Sequence, residues 1–374
     1  MFFTRSIFCN TSSTLGKLAL KLVEKKGSLQ YKSSVICFVY NTILWASEPL
    51  QTIVEAHLLG HKAGQLTGDI VFALHNLILA ILTDYVAGKS LDTVQKNAMD
   101  FVSVLNRHGL KIFFKNTVLL LSQISVLSKG PDAAQVDSMP SEWEILSDAS
   151  SGPSIAAYGK LHHLTRAFLF RQMCDASLHV DISGAVSESH HQLNPHYLMG
   201  YFFEGLASFQ FARQTRSSES AKWMERGQSV LAKMRCWSEH SLWNWENKVL
   251  LLEAESMFAN GEIDSAGRFY NSAIRSAREH KFVHEEAIAS ELAGMFYFEI
   301  GLQQKSYSYL VHSVDCYKKW GAHAVAKRVE NVIKSDFGRD VELLEFNADT
   351  PLEHLFASSQ ESKKKRQQRE CKSY

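Results

Sequence analysis

The sequence predicts an all-α fold, a solenoid of stacked helical hairpins, and three observations predict it. Residues 250–321 write one helical hairpin twice, with the turn glycines Gly261 and Gly301 in matching places 40 residues apart. The 374-residue chain has six prolines and none between 196 and 350, as suits long helices. Elsewhere apolar residues recur at spacings of three and four, the helical period. A lone hairpin of this kind cannot bury its apolar face without a stacked neighbour. The chain therefore reads as one continuous array with an interruption rather than as two or three separate domains.

Taken in order, the periodicity marks about fourteen helices. Residues 1–12 read as an extension whose single arginine and short apolar patch are too weak for a secretory signal. Helices follow in "LGKLALKLVEKKG", "YKSSVICFVYNTILWAS", "LQTIVEAHLLGHKAGQ", "DIVFALHNLILAILTDYVAG", "SLDTVQKNAMDFVSVLNRHG" and "KIFFKNTVLLLSQISVLSKG". Gly64, Gly68, Gly88, Gly109 and Gly130 stand where C-caps or turns are needed, and Asp69 or Thr67 can cap the helix that follows. The stretch 129–153 breaks the pattern. From Gly130 to Pro153 it is turn-rich, with five acids and no base, and reads as an exposed acidic loop. Helices resume in "SIAAYGKLHHLTRAFLFRQ", "PHYLMGYFFEGLASFQFARQ" and "SESAKWMERGQSVLAKMRCWSEH".

The two copies at 250–321 match the tetratricopeptide pattern. Ala254 and Gly294 take the small, tight-contact slot of the first helix, and Ala266, Tyr270 and Ala273 correspond to Ser306, Leu310 and Ser313 in the second. Small residues there let two helix backbones approach while the large one wedges between them. The organisation expected is N-terminal helical repeats over 13–128, tetratricopeptide-like repeats over 154–338, and a flexible basic tail over 339–374.

Motifs for chemistry fail one at a time. "AGKS" at 87–90 has Thr83 where a phosphate-binding loop needs its first glycine, so it reads as an interhelix turn with Gly88 at the C-cap and Ser90 capping the next helix. His280 and His284 fall on either side of a hairpin turn, and "HEEAI" lacks the second histidine of a zinc helix. The adjacent pairs His162–His163 and His190–His191 point about 100° apart on a helix. Six scattered cysteines without a CxxC argue for a reducing compartment and against a zinc site or disulfide framework. The expectation is a chain that is not an enzyme, with no catalytic, cofactor-binding or metal-ligating residues. The most apolar run, residues 70–82, is thirteen long and contains His75 and Asn76. A membrane span needs about 20 residues. Trp223, Trp237, Trp243 and Trp245 read as core packing rather than a stacking site.

The segments "GQLTGDIVFAL", "WNWENKVLLLEAE" and "AGRFYNSAIRSAREHKFVHEEAIASELAGMFYFEIGLQQKSYSYLVHSVDCYKKWGA" resemble the helical-repeat region of large signalling proteins. Those proteins join a serine/threonine kinase, a STAND-type AAA ATPase, these repeats, a GAF domain and a histidine kinase. The resemblance covers roughly residues 13–338 and implies a regulatory, non-catalytic interaction module, either free-standing or a fragment of a longer product. The alternative is a small-molecule-sensing solenoid of a STAND-type regulator.

In the repeat frame, the first helices line a groove with Lys248, Leu251, Glu255 and Phe258, then Ile288, Glu291, Met295 and Phe298. Glu255 and Met295 replace the asparagines of a carboxylate clamp, so the expected protein partner is a basic or amphipathic helical segment. The net charge of +1 steers the chain toward neither membrane nor nucleic acid. The tail bases Lys363, Lys364, Lys365, Arg366, Arg369 and Lys372 have no interleaved aromatic, which makes nucleic acid an unlikely partner. A cytoplasmic location is expected, with nuclear import left open by that tail.

Overall fold

The computed structural model describes residues 3–25, 28–133, 139–148, 150–181, 195–215 and 218–338. The tail 339–374 and the pair His190–His191 lie outside them. The described residues are almost wholly helical and contain no strand. The first half holds α1 (Phe3–Val23), α2 (Lys32–Thr42), α3 (Leu50–Thr67), α4 (Ile70–Val86), α5 (Leu91–His108), α6 (Lys111–Lys129), α7 (Glu142–Ser147), α8 (Gly152–Leu169) and α9 (Met173–His179). The second holds α10 (Pro195–Gln214), α11 (Ser218–Ser238), α12 (Leu242–Ala259), α13 (Ile263–Glu279), α14 (Val283–Glu299), α15 (Gln303–Trp320) and α16 (His323–Phe337). Helix α1 runs unbroken across the 12/13 boundary.

From α10 onward each helix packs on the next, and the first helices α10, α12 and α14 also touch one another, as in a stacked solenoid. Gly261 and Gly301 both sit at φ +80°. In each turn the glycine N–H and the one after it donate back into the finished helix, Gly261 to Phe258 and Glu262 to Met257, Gly301 to Phe298 and Leu302 to Tyr297. This ending requires a left-handed residue, which explains the glycines. The same turn recurs after α8, where Arg171 donates to Phe168 and Gln172 to Ala167, but here Arg171 itself takes φ 60°. Ala273 is fully buried, and Ser306 Oγ donates to the Gly294 carbonyl at 2.8 Å, so the small slots do hold close helix contacts.

In the first half Asn76 is the polar node. Its Nδ2 donates to the Ser33 and Phe72 carbonyls at 2.9 Å each, and its Oδ1 meets His57 Nδ1 at 2.9 Å. Asp69 caps α4 through the Phe72 N–H. Gly68, Gly109 and Gly130 end helices, but Gly64 lies inside α3 against Ala73 and Ser33, so it serves helix packing and not a turn. The 129–153 stretch also differs from the expected exposed loop. A capping box on Ser141 starts α7, which buries Ile145 and packs on α6 and α8, and Glu142 pairs with Arg166 at 2.8 Å.

The two halves join along the starts of the C-terminal helices. Asn244 accepts from the Leu50 N–H at 3.1 Å and donates to the Glu48 carbonyl at 2.8 Å. Trp45 meets Trp245 edge-on at 6.0 Å, Trp243 Nε1 donates to Gln51, and Ser128 donates to the Gly321 carbonyl. Helix α4 packs on α10, and α6 on α16. Gly88, at φ +79°, lies against His284, where a Cβ would collide with the ring. Among the described residues no helix is long and apolar enough to cross a membrane.

Candidate functional site

The groove expected from the sequence is not open. Lys248, Leu251, Glu255, Ile288 and Glu291 are each no more than 2% exposed. Phe258 and Met295 are half-buried, and only Phe298 reaches solvent, at 40%. Helix α8 covers one end of α14. Its Tyr158, Leu161, His162 and Thr165 face Ile288 and His284 of α14 across a small cavity, and Arg171 at its end reaches Glu291. Most of the apolar residues of α8 are buried, so it is a core element and not a loose plug.

The charged residues are consumed by partners within the chain. Glu255 accepts from Arg213 Nη1 at 2.6 Å and from Tyr270 at 2.5 Å. Glu291 accepts from Arg171 at 2.6 Å, Arg328 at 2.7 Å and Tyr317 at 2.8 Å. Burial alone would raise the Glu291 carboxyl, but the two guanidinium groups outweigh it and hold the group down at about 2. Lys248 Nζ donates to Glu285 and to the Asn244 carbonyl, both at 2.7 Å, and lies over the Phe282 ring. Burial pulls the Lys248 ammonium below the ordinary lysine range against the pull of Glu285. A buried carboxylate is tolerable only with such saturation, and removing one partner costs several kcal/mol, about 3 to 5. These residues hold the solenoid together and do not offer themselves to a ligand. Phe258 carries Arg213 over its ring at 4.4 Å and meets Phe296 edge-on, and Phe298 meets Phe337 edge-on, so both pack within the array.

One concavity that opens to solvent among the described residues is basic. It lies between the end of α6 and α16, measures about 690 Å³, and is lined by Lys129, His323, Lys327 and Arg328 with no acid. Five of the eight residues expected to line an acidic groove are thus buried instead.

At the seam, Tyr85, Tyr158, His162, His284 and Trp320 line a small cavity of about 30 Å³. Burial pulls the His284 ring down to about 4, so it is neutral, and neither of its nitrogens makes a hydrogen bond. Space of this size takes one or two waters. It falls far short of the roughly 300–1,000 Å³ of small-molecule sites.

The four tryptophans pack as the sequence implied. Trp245 is buried against Trp237 and Trp45, Trp223 lies on Phe211, and Trp243 on His280. His280 closes α13 and His284 opens α14, so they share no ion. Gly88 of "AGKS" donates to the Tyr85 carbonyl in a helix-ending turn, with no cradle of amides. Sequence reasoning missed Glu286, His312 and Cys316, whose ligand atoms lie within 4.8 Å of one another. The 26 residues between Glu286 and His312 match no metal motif, and only the stacking of α14 on α15 brings them together. No family model matches the chain, and comparison with the curated proteins finds no match.

Proposed function

We propose that the chain is a helical-repeat interaction and regulatory module, not an enzyme, and that its partner binds outside the repeat groove. The observation that carries this reading is the distribution of exposed apolar side chains. Of the seventeen large hydrophobic residues exposed among the described ones, eleven lie between Leu15 and Val71, on α1 to the start of α4. Concentrated exposure of this kind marks protein contact surfaces, whereas scattered single residues need no explanation. The resemblance to repeat regions of kinase–ATPase signalling proteins supports a regulatory role, and the arrangement suits a scaffold whose C-terminal repeats are rigid and whose N-terminal helices meet the partner. A small-molecule sensor is the weaker reading, because the seam cavity has room for water only and the 690 Å³ concavity between α6 and α16 is a broad, open surface hollow.

Photo-crosslinking amino acids at Phe38, Leu66 and Val71, compared with Leu242 and Ile263 on the C-terminal repeats, test the reading in cells. The expected result is one shared partner captured from the first three positions and not from the last two. Equal capture from both sets, or no capture together with a metabolite that raises the melting temperature, would reject it.

A further inference from the structure

Helices α14 and α15 assemble a donor set around one atom. Glu286 lies in the first turn of α14, and His312 and Cys316, four residues apart, share a face of α15. His312 Nε2 stands 2.8 Å from Glu286 Oε1 and 3.4 Å from Cys316 Sγ. Arg278 joins them, its Nε donating to the same Glu286 oxygen at 2.8 Å and its Nη2 lying 3.2 Å from His312 Nε2.

One proton cannot satisfy Nε2 among these neighbours. With a proton it donates to Glu286 but faces the N–H of Arg278. Without one it accepts from Arg278 but sets its lone pair against the Glu286 carboxylate. A positive ion bound by all three donors removes the conflict, since a metal accepts lone pairs from oxygen, nitrogen and sulfur alike. The Arg278 guanidinium supplies positive charge to the cluster from a side chain that is 46% exposed.

We propose that Glu286, His312 and Cys316 form a binding site for a divalent transition-metal ion of the zinc class, with Arg278 as the group the ion displaces. Thiolate, imidazole and carboxylate together are a zinc-type donor set. Bonds of about 2.0–2.3 Å to tetrahedral Zn²⁺ place donors roughly 3.2–3.8 Å apart, so small rotamer changes close the site. The Glu286 and His312 side chains are 9% and 12% exposed and Cys316 is buried, so the ion would be held largely away from solvent. On binding, the Cys316 S–H gives its proton to solvent as the metal–sulfur bond forms, and Arg278 releases the Glu286 oxygen.

Cobalt titration of the reduced full-length protein tests the site. One equivalent of Co²⁺ should produce tetrahedral ligand-field bands and a thiolate-to-cobalt charge-transfer band, both abolished by excess Zn²⁺. Cys316→Ser should lose the charge-transfer band, and His312→Gln should weaken binding by about tenfold or more. Arg278→Gln, a half-exposed change that leaves all three donors, should tighten binding, because the competing cation is gone. Melting curves without metal check that each variant folds. No charge-transfer band in either the wild type or Arg278→Gln, or an undiminished band in Cys316→Ser, would overturn the proposal. In that event the cluster is an Arg–Glu–His ion pair beside a buried thiol and nothing more.

Discussion

The two halves of the molecule are built from the same helices but held by different forces. Helices α2–α6 bury apolar side chains and neutral polar groups, with Asn76, His57 and Ser33 as the central network and Thr117, Ser122 and Gln123 along α6. Helices α10–α16 bury carboxylates instead, and each is paired. Glu204 meets Arg226, Glu253 meets Arg235, Glu255 meets Arg213, Glu285 meets Lys248, and Glu291 meets both Arg171 and Arg328. A neutral network that loses one member forfeits hydrogen bonds. An ionic one that loses a member leaves an uncompensated charge in low dielectric. The repeat half should therefore tolerate single changes worse than its partner.

The largest expected effect comes from Glu291. Glu291→Gln removes the one carboxylate shared by Arg171 and Arg328 and should cost about 3 to 5 kcal/mol in urea unfolding. Asn76→Ala, the equivalent blow to the first half, should cost about 1 to 3 kcal/mol. Arg171 adds to the asymmetry, because it holds a left-handed backbone at φ 60° that the ion pair keeps in place. A Glu291→Gln protein no weaker than Asn76→Ala would show that the repeats do not depend on their buried charges.

Acid should separate the halves by pH window. Burial depresses His57 to about 4, against a weaker opposing pull from its hydrogen bond with Asn76. The unfolded histidine binds its proton near 6.5, so stability is full above that value and falls as pH drops through the interval toward about 4. Glu291 behaves later on the same descent. Held at about 2, it contributes fully above the unfolded carboxyl value of about 4.3 and is lost only between there and about 2. Between pH 7 and 5 the His57 region should thus lose roughly 2 kcal/mol while the Glu291 network is untouched. His284 titrates in the His57 window and loosens the seam. Hydrogen exchange at pH 5 should show faster opening in α2–α4, diminished by His57→Gln. Earlier opening of α15 and α16 would reverse the assignment.

How much of this was legible in the sequence depends on how local its cause is. The long helices and the Gly261 and Gly301 turns were legible because period and glycine act within one turn of chain. The six-residue α7 was not, being too short to show a period. Nor was the turn after α8 recognised as the repeat turn, because Arg171 occupies the position where glycine is the signal. The groove reading failed for a different reason. Glu255 finds Arg213 at 42 residues' distance and Glu291 finds Arg171 at 120, so a carboxylate that reads as exposed on its own helix is buried by a partner that the local pattern cannot name.

The smallest effect expected is the most telling about why these charges are kept. Lys248 and Glu285 are both about 1% exposed and pair at 2.7 Å, so removing either alone strands the other. Replacing both, Lys248→Met with Glu285→Leu, removes two desolvation costs together with one attraction, an exchange that is often neutral or stabilising when the new side chains fit. Here a local loss opposes the gain. Asn247 Nδ2 donates to Glu285, and the Asn244 carbonyl accepts from Lys248, so both lose a partner. The two contributions should leave the double variant within about 1 kcal/mol of the parent, with each single variant destabilised by about 3 kcal/mol or more. Urea midpoints of all four proteins measure this directly. If the double variant were as unstable as the singles, the pair would be contributing net stability. If it matches the parent, the buried charges of the repeat half serve to specify which helix stacks on which, a task the first half gives to shape and to its neutral Asn76 network.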